Sequence, residues 1–320
     1  LTDDLDRYEV DWTRRHRGRA LCVVRPASTL EVAAVVRLAR STRHPLVPQG
    51  GNTGLVAGSV PTDGQIVVST ERLRSVGAVD GLARQLTAGA GATLQAVQDA
   101  AGAAGLRYPV DFGARGSATV GGSIATNAGG VNVLRHGMTR QQIVGLEAVL
   151  GTGEIVSHLG GLVKDNTGYD LGSLLCGSEG TLGIVTAARL RLVPEHPHRV
   201  TALASFATVG AAIEAVGVLT RSLDTVDAVE LMLSSGLDLV ARTTGVEAPI
   251  RAPAVLLVEC SAADDQAPLL DSVLRDRVDD MVVAVTTSQR DALWRLREED
   301  RKSTRLNSSH EWISRMPSSA

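Results

Sequence analysis

The chain has 320 residues, of which 44% are hydrophobic and 21% are charged, and its formal net charge is −3. This length is enough for two domains, and the composition excludes both a disordered chain and a coiled coil. The charges are balanced without basic tracts, which argues against a nucleic-acid partner or an anionic membrane surface.

The first part of the chain is predicted to alternate strands with helices. Strands are expected at residues 21–24, 44–47, 66–69, 85–88 and 183–193, and helices up to residue 40 and over 93–104. Ser28 and Glu31 form the S-x-x-E pattern of a capping box before the first helix. Residues 147–156 are predicted to form a hairpin that turns at the Gly-Thr-Gly of 151–153. We expect this part to end near residue 197.

The second part repeats a strand–helix–strand order twice. Strands are expected at residues 200–206, 226–232, 254–260 and 281–286, and helices at 209–219 and 268–274. Two such units in tandem predict a small ferredoxin-like α+β domain. Residues 302–320 contain six serines and differ in composition from the rest. We predict a non-native tail there, with a disordered natural terminus as the alternative.

The three cysteines (Cys22, Cys176 and Cys260) are far apart and lack C-x-x-C spacing. They favour buried thiols in a reducing compartment over disulfides or a zinc site. No apolar run approaches the roughly 20 residues that span a bilayer. No secretory signal opens the chain either, so we predict a cytoplasmic protein without a transmembrane segment.

Glycine is concentrated in three stretches of the first part. Residues 50–58 hold four glycines, residues 113–130 hold six and residues 168–183 hold five, out of 33 in the chain. Glycine lets the backbone approach a ligand closely, and successive N–H groups can form a nest for phosphate oxygens. Three such loops indicate a long polyanionic cofactor. Tight turns in a strand-rich fold are the alternative explanation for each loop taken alone.

Other nucleotide and nucleophile motifs are missing from the sequence. No G-x-G-x-x-G follows the first strand, which disfavours a Rossmann dinucleotide site. There is no G-x-x-x-x-G-K-[ST] of a P-loop kinase. There is no G-x-S-x-G of an α/β-hydrolase. The glycine loops therefore need another explanation.

Four motifs occur in order at residues 48–55, 121–130, 164–171 and 177–184. Together they resemble the FAD-linked oxidoreductases of the vanillyl-alcohol oxidase/p-cresol methylhydroxylase (PCMH) superfamily, and most of all its branch of D-2-hydroxyglutarate and D-lactate dehydrogenases. The resemblance runs from about Asp11 to Glu298. It implies an α+β fold: a PCMH-type FAD-binding domain of two α+β subdomains over residues 1–197, and an incomplete ferredoxin-like cap domain over 198–301.

The resemblance also implies which residues bind FAD. The pyrophosphate is expected on the backbone amides of 49–55, and the flavin and ribityl chain along 113–122. The expected cofactor residues are Pro48, Gln49, Gly50, Gly51, Asn52, Thr53, Gly54, Leu55, Gly113, Gly116, Ser117, Gly121, Gly122, Asn127, Glu179, Gly180, Gly183 and Ile184. Since Asn52 stands where covalent members carry a histidine, non-covalent FAD is expected.

The implied reaction is the oxidation of a D-2-hydroxy acid by hydride transfer to flavin N5, with D-2-hydroxyglutarate going to 2-oxoglutarate as the first choice. A D-lactate or glycolate dehydrogenase subunit and a catalytically silent flavin-binding module are the alternatives. Electrons are expected to pass to a quinone, a cytochrome or an electron-transfer flavoprotein. Nicotinamide is an unlikely acceptor because the Rossmann pattern is missing.

Arg297 is the residue that the resemblance assigns to the substrate carboxylate. The planar guanidinium suits that task because it bonds both carboxylate oxygens. Without the resemblance, Arg297 would be assigned to a solvated helix face with Arg290, Arg295 and Arg301. The catalytic base stays unassigned.

A divalent metal is expected in full-length relatives, but the histidines and glutamate that would bind it have no matching residues here. An incomplete active site is therefore expected, and the chain by itself could be inactive. Lys164 is expected to pair on the surface with Asp165 or Asp170. His196 and His198 lie close together in the interdomain linker without further ligands, so we predict no metal site there.

Overall fold

The computed structural model describes residues 5–306, and side chains up to residue 299. The chain divides between Glu195 and His196 into two compact units, which we call unit 1 and unit 2. The backbone of 302–306 continues a helix, while the rest of the predicted tail, 307–320, lies outside the described residues. Within residues 5–306, no helix combines the length and hydrophobicity needed to cross a membrane.

Unit 1 contains short helices and three small sheets. In chain order its elements are α1 (Asp6–Glu9), β1 (Ala20–Val24), α2 (Thr29–Thr42), β2 (Leu46–Gln49), β3 (Gln65–Ser69), β4 (Gln85–Gly89), α3 (Leu94–Gly102), β5 (Leu106–Arg107), α4 (Val120–Ala125), α5 (Val133–His136), α6 (Thr139–Gln142), β6 (Ile143–Leu150), β7 (Ile155–His158), α7 (Leu171–Leu175), β8 (Gly183–Arg191) and β9 (Val193–Pro194).

The first sheet of unit 1 is parallel, with strand order β1-β3-β2. Helix α2 begins where the S-x-x-E pattern predicts, since the Ser28 hydroxyl accepts from the Glu31 N–H at 3.2 Å. The Glu31 carboxylate accepts from the N–H of Ala27 at 2.7 Å, one residue earlier than a capping box requires. The buried face of α2 includes Val32 and Val36. The glycine loop at residue 50 starts at the carboxyl end of β2.

The second sheet of unit 1 is antiparallel, with strand order β4-β8-β6-β7. The predicted hairpin is confirmed, because β6 and β7 pair across residues 151–154. Aliphatic and alanine side chains fill the main core, among them Leu86, Leu94 and Leu190, and Tyr108 is a fully buried aromatic. A two-stranded β5-β9 pair completes the unit. The two predicted α+β subdomains correspond to the parallel and antiparallel sheets.

Unit 2 has one four-stranded sheet with helices. Its elements are β10 (His198–Phe206), α8 (Val209–Ser222), β11 (Val226–Leu233), α9 (Ser234–Thr244), β12 (Ala254–Ala262), α10 (Ala267–Leu274), β13 (Asp280–Ala284) and α11 (Thr287–Leu306). The antiparallel order β11-β12-β10-β13 is the ferredoxin-like order, which confirms the predicted fold. Helix α9 was not predicted; its buried residues Leu237 and Val240 lie three apart on one face.

The two faces of the unit 2 sheet differ in composition. One face carries Ala202, Leu256 and Val258, which pack in an apolar cluster with residues of α8 and α10. On the opposite face, Thr201 pairs with Glu259 across β10 and β12. Buried groups on that face are therefore partly polar and need partners.

Candidate functional site

The first glycine loop of unit 1 is pressed against the segment before α4. A Cβ on Gly51 would overlap the carbonyl oxygen of Ser117, and a Cβ on Gly50 would overlap the hydroxyl of Thr119. The overlap at Gly51 cannot be relieved by turning a side chain, because the obstacle is backbone. Close packing therefore requires glycine at this point and brings the first two predicted loops together.

The backbone of this loop offers hydrogen-bond donors. None of the N–H groups of residues 50–55 donates to another residue in the described part of the chain. A cavity of about 490 Å³ is lined by residues 49–52, 91–93, Ser117 and Thr119, so that Gly50, Gly51 and Asn52 of this loop border it. Successive free amides facing a cavity form the kind of nest that holds phosphate oxygens.

The side chains of this loop have structural roles. The Gln49 amide is buried and donates to the carbonyls of Tyr8 and Ser59, both at 2.9 Å. The Asn52 amide donates to the carbonyl of Val10 at 2.8 Å. Any contact of these two residues with a cofactor thus comes from the backbone. Thr53 is half-buried, whereas Gly54 and Leu55 are exposed.

The glycines of the second predicted loop, residues 113–122, differ in how closely they pack. A Cβ on Gly121 would lie 2.7 Å from the Cβ of Ala90, while Gly122 donates to the Thr119 hydroxyl at 3.3 Å. At Gly113 and Gly116 a Cβ would have no atom within 4 Å, so protein packing does not explain these two glycines. Because no atom of the described residues lies close to these two positions, the close approach of a ligand to the backbone is one reason for glycine there.

A third contact joins α4 to the loop before β8. The N–H groups of Gly177 and Glu179 donate to the carbonyls of Ile124 and Ala125, both at 2.9 Å. Asn127 accepts the Arg140 N–H at 3.0 Å, and the Arg140 guanidinium donates to the Cys176 carbonyl at 2.7 Å. These bonds hold the second and fourth predicted motifs together.

The loop before β8 also reaches the first loop. A Cβ on Gly180 would lie 2.7 Å from the Cγ of Pro48. The Glu179 carboxylate lies beside Gly58, where a Cβ would be 3.1 Å from Oε2. The structure thus brings together three segments, residues 48–58, 117–127 and 177–180. Pro48 and Gly180, which lie side by side, are more than 120 residues apart in the sequence.

Strained backbone conformations occur in the same three segments. Asn52, Asn127 and Glu179 have φ values of 51°, 46° and 50°, in the left-handed region that costs a residue with a Cβ free energy. All three lie in the predicted cofactor motifs. Such conformations persist where the surrounding structure holds them, and they cluster at ligand sites.

Two predicted cofactor residues belong to the core. Gly183 begins β8, where a Cβ would lie 2.8 Å from the carbonyl oxygen of Val149. The Ile184 side chain is buried in the apolar cluster that contains Val149 and Val32. Both residues are paired with β6, and sheet packing explains both residue types without a ligand.

Several cavity residues were not predicted from the sequence. Thr119, Tyr8 and Arg74 line the cavity, together with Glu71. Glu71 accepts from the Tyr8 hydroxyl and from Arg25 at 2.8 Å. Burial, together with the Glu71 charge, raises the pKa of Tyr8, which therefore stays neutral. No local pattern marks residues 8 and 71, because only the tertiary fold brings them to the loop.

Cys176 is inert in this setting. Its thiol lies 3.6 Å from the Asn127 side-chain oxygen, and burial raises its pKa although the Arg140 charge opposes the shift. The thiol therefore stays protonated and donates to Asn127. It has the structural role that the cysteine pattern predicts.

In unit 2, Arg297 is paired rather than solvated. Its Nε donates to Oε2 of Glu230 on β11 at 2.7 Å, and both side chains are about three-quarters buried, with 26% and 22% exposed. The alternative of a solvated face shared with Arg290 is wrong, since Arg290 bonds Glu259 instead. Arg297 thus has a defined orientation within the described part of unit 2.

Glu259 is a buried carboxylate with several donors. It accepts from Arg290 Nε at 2.7 Å, from Trp294 Nε1 at 2.7 Å and from the Thr201 hydroxyl at 2.7 Å. Arg199 lies 3.8 Å away. Burial alone would raise the pKa of Glu259, but the bonds and charge of Arg290, helped by Trp294 and Arg199, bring it below its ordinary value.

The predicted surface pair of Lys164 is wrong. Asp165 pairs with His158, and the Asp170 carboxylate caps α7 by accepting the Ser173 N–H at 2.8 Å. In residues 5–306, no group of three histidine, cysteine or acidic side chains is placed to hold a metal ion.

The site in unit 1 fits FAD in its chemistry. Its donors are backbone amides that have no acceptor among the residues that the structure describes, and its closest packing excludes any Cβ at Gly50 and Gly51. Such a surface suits the pyrophosphate of a dinucleotide better than it suits a metal, which needs side-chain oxygen, nitrogen or sulfur ligands.

Two protein-family models match the chain. Residues 20–158 match the FAD binding domain, and residues 195–313 match the C-terminal domain of FAD linked oxidases. The two matches fall almost entirely within unit 1 and unit 2, respectively.

Curated relatives share most of the chain. A D-2-hydroxyglutarate dehydrogenase of Xanthomonas citri pv. viticola is 39% identical over 303 residues, 92% of this chain and 64% of the relative. A mitochondrial D-2-hydroxyglutarate dehydrogenase of Arabidopsis thaliana is 33% identical over 93% of this chain and 56% of its own length. A Schizosaccharomyces pombe protein, provisionally named a mitochondrial D-lactate dehydrogenase, is 34% identical over 92% and 58%. The chain therefore spans less than two thirds of these relatives.

Solved structures share the fold. Alkyldihydroxyacetonephosphate synthase in one crystal form superposes with a TM-score of 0.71 at 17% identity, covering 90% of this chain and 55% of that one. A second crystal form has a TM-score of 0.72 at 18% identity, covering 87% and 56%. At this identity the likeness concerns the fold alone.

Proposed function

The chain belongs to the FAD-linked oxidases, and from that premise we propose that it serves the oxidation of a D-2-hydroxy acid, with D-2-hydroxyglutarate going to 2-oxoglutarate as the first candidate reaction. The observation that carries the cofactor part is the run of amides at residues 50–55, which have no acceptor among the described residues and of which the first three belong to residues lining the cavity. The names of relatives at 33% to 39% identity support the substrate class.

Unit 1 would hold FAD without a covalent bond. The amides of residues 50–55 would bind the pyrophosphate, and the exposed Gly113 and Gly116 would line the rest of the cofactor. Asn52 cannot carry the flavin, because its amide is occupied by backbone carbonyls and by the Ser59 hydroxyl. FAD, when bound, supplies the acceptor for the hydride of the hydroxy acid.

Arg297 would bind the substrate carboxylate. Its guanidinium stays charged at any working pH and can bond both carboxylate oxygens in one plane. The Glu230 contact uses Nε alone, and among the described side chains the two terminal nitrogens have no acceptor, which leaves them for the substrate. The residue that takes the hydroxyl proton is not assigned.

We further propose that a quinone, a cytochrome or an electron-transfer flavoprotein reoxidises the flavin. The sequence lacks a Rossmann fingerprint for nicotinamide, which supports this choice. A cytoplasmic location remains a prediction beside relatives whose names place them in mitochondria. A D-lactate dehydrogenase is the second candidate function, because the S. pombe relative carries that name.

Anaerobic flavin absorbance tests the proposal. The chain, extended to the length of its relatives so that the active site is complete, is loaded with FAD and freed of excess cofactor. It is mixed in turn with D-2-hydroxyglutarate, D-lactate and glycolate, with L-2-hydroxyglutarate as the matched control. We expect bleaching by D-2-hydroxyglutarate and none by its L enantiomer.

Other outcomes separate the alternatives. Bleaching by D-lactate or glycolate alone would replace the substrate and keep the reaction. A retained flavin that no hydroxy acid reduces would favour a silent flavin-binding module. A chain that retains no flavin would contradict the assignment of the glycine loops.

A further inference from the structure

Two carboxylates lie on the same face of the unit 2 sheet. Ala228 on β11 is opposite Glu259 on β12, and Glu230 is opposite Leu257. Since side chains alternate along a strand, Glu259 and Glu230 point to one face from neighbouring strands, offset by two residues. This is the face opposite the apolar cluster that includes Val258.

Helix α11 presents three matching donors. Arg290, Trp294 and Arg297 are spaced by four and three residues and therefore lie on one side of the helix. Arg290 bonds both oxygens of Glu259, with Nε–Oε2 at 2.7 Å and Nη2–Oε1 at 3.0 Å, and Trp294 adds a third bond. The Glu259 contacts fix the helix to the sheet at positions about one and two turns before Arg297.

The bond to Glu230 determines how Arg297 is held. Nε of Arg297 donates to Oε2 of Glu230 at 2.7 Å, and in the described part of the chain Arg297 makes no other hydrogen bond or ion pair. A carboxylate ligand bonds a guanidinium best through two nitrogens in one plane. The Nη1–Nη2 edge is the pair that the Glu230 contact leaves open.

We propose that Glu230 is a positioning residue, which holds Arg297 by its Nε and aims the terminal nitrogens at the carboxylate of the hydroxy acid. This inference rests on the proposed function of Arg297. Glu230 touches neither substrate nor flavin in this scheme and acts through the arginine.

A purely stabilising role explains the pair less well. Among the described side chains, Glu259 already holds α11 through three hydrogen bonds, two from Arg290 and one from Trp294. Glu230, on the edge strand β11, accepts one hydrogen bond and is 22% exposed. Ion pairs that reach solvent contribute little to stability because water screens the charges and both side chains lose freedom. A single bond of this kind can still fix the orientation of the Arg297 guanidinium.

The test uses the chain extended to the length of its relatives and loaded with FAD, and compares Glu230→Ala with Glu230→Gln. Asp271→Ala is the matched control, because it removes the carboxylate of another arginine pair in unit 2, that of Asp271 on α10 with Arg275 just after this helix. The dissociation constant of D-2-hydroxyglutarate is measured by calorimetry, and KM and kcat by flavin reduction. The Arg297 Nε–H resonance, assigned with Arg297→Lys, reports the bond directly.

We expect Glu230→Ala to weaken D-2-hydroxyglutarate binding and raise KM by about tenfold, with kcat nearly unchanged, since binding loses a pre-oriented fork. Glu230→Gln keeps an acceptor oxygen and should restore most of the affinity. Asp271→Ala should behave as the parent chain. The Nε–H signal should be protected from solvent exchange in the parent chain and in Glu230→Gln.

Three results would overturn the inference. The first is an unchanged dissociation constant in Glu230→Ala, and the second is an equal loss of affinity in the alanine and glutamine variants. The third is an Arg297 Nε–H in the parent chain that is not protected from solvent exchange, a result that does not depend on the folding of any variant. The proposed function fails separately: if Arg297→Lys leaves D-2-hydroxyglutarate binding unchanged, the carboxylate role of Arg297 is wrong. If Arg297→Lys weakens binding and Glu230→Ala does not, only the positioning role is wrong.

Discussion

Unit 1 and unit 2 build their candidate sites from different parts of the chain. In unit 1 the donors are the backbone amides of residues 50–55, and the side chains of Gln49 and Asn52 are turned to structural use. In unit 2 the donors are the side chains of Arg290, Trp294 and Arg297, held by glutamates on the sheet. Backbone shape is thus decisive in one unit and side-chain charge in the other.

The difference follows from the ligands that each unit would bind. A pyrophosphate presents many oxygens over a short length, and adjacent amides can meet several of them at once. A single carboxylate is matched by one planar guanidinium. The first solution needs residues without a Cβ, such as Gly51, and the second needs paired charges, such as Glu259 with Arg290.

The comparison predicts that adding one methyl group at Gly51 has the largest effect. In Gly51→Ala the new Cβ overlaps the Ser117 carbonyl, and relief requires a backbone shift in one of the two loops. We expect loss of FAD retention and about 3 kcal/mol lower stability. The ratio of flavin to protein absorbance and a urea titration measure both.

Gly81→Ala is the matched control in unit 1. Gly81 lies outside the site, has no atom within 4 Å of the Cβ position and has no left-handed φ. It should keep the flavin content of the parent chain. A Gly51→Ala protein with normal flavin content would show that the loops are not packed as the structure has them.

In unit 2 the largest effect is expected at Glu259. Glu259→Ala leaves Arg290 and Trp294 without their shared acceptor; because Arg290 is still 27% exposed, water compensates in part. We expect a stability loss of about 2 to 3 kcal/mol, below the usual range for a fully buried pair. Urea unfolding followed by Trp294 fluorescence measures it, and Glu259→Gln, which keeps the acceptor oxygen, should lose less.

The charge of Glu259 also predicts a pH dependence. Its pKa is lower in the folded chain than its ordinary value near 4.5, so its contribution to stability is complete above that value and is lost as pH falls through the folded pKa. The stability difference between the parent chain and Glu259→Gln should be large at neutral pH and shrink below about pH 4. A difference that stays constant with pH would show that Glu259 is not ionised in the folded chain.

A smaller effect is expected at Glu179 in unit 1, where a substitution can separate the role of the backbone from that of the side chain. Its φ of 50° favours glycine, and its carboxylate would repel a phosphate. The useful group of Glu179 is therefore its backbone N–H, which donates to the carbonyl of Ala125. Glu179→Gly should raise stability by up to about 1 kcal/mol and bind FAD at least as tightly, whereas Glu179→Ala keeps the strain. Weaker FAD binding in Glu179→Gly would assign a role to the side chain.

Local structure was predictable wherever the signal is local. The Ser28–Glu31 pattern predicted the start of α2, and the Gly-Thr-Gly of 151–153 predicted the β6–β7 hairpin. The two strand–helix–strand repeats predicted the ferredoxin-like sheet, since each repeat must bury one apolar face. Helix α9 escaped prediction, because only two of its residues, Leu237 and Val240, are buried.

The site was predictable as a set of loops but not as a geometry. The glycine clusters and the ordered motifs predicted a cofactor site at residues 50–55 and 121–122, which stays a prediction, and they predicted the FAD-linked domains that the family models match. They did not show that Ile184 is a core residue, or that Thr119 and Tyr8 line the cavity. These placements depend on contacts between residues that lie far apart in the chain.

The sequence by itself determined the fold class, the family and the loops that would hold a phosphate-rich cofactor. Glycine positions and hydrophobic periodicity act over a few residues, where the chain's own geometry limits the outcome. Only the tertiary structure decided that Asp165 pairs with His158 and that Arg297 pairs with Glu230. Sheet register and helix docking determine the partners of charged side chains. They bring together residues such as 230 and 297, whose separation in the sequence does not predict a contact.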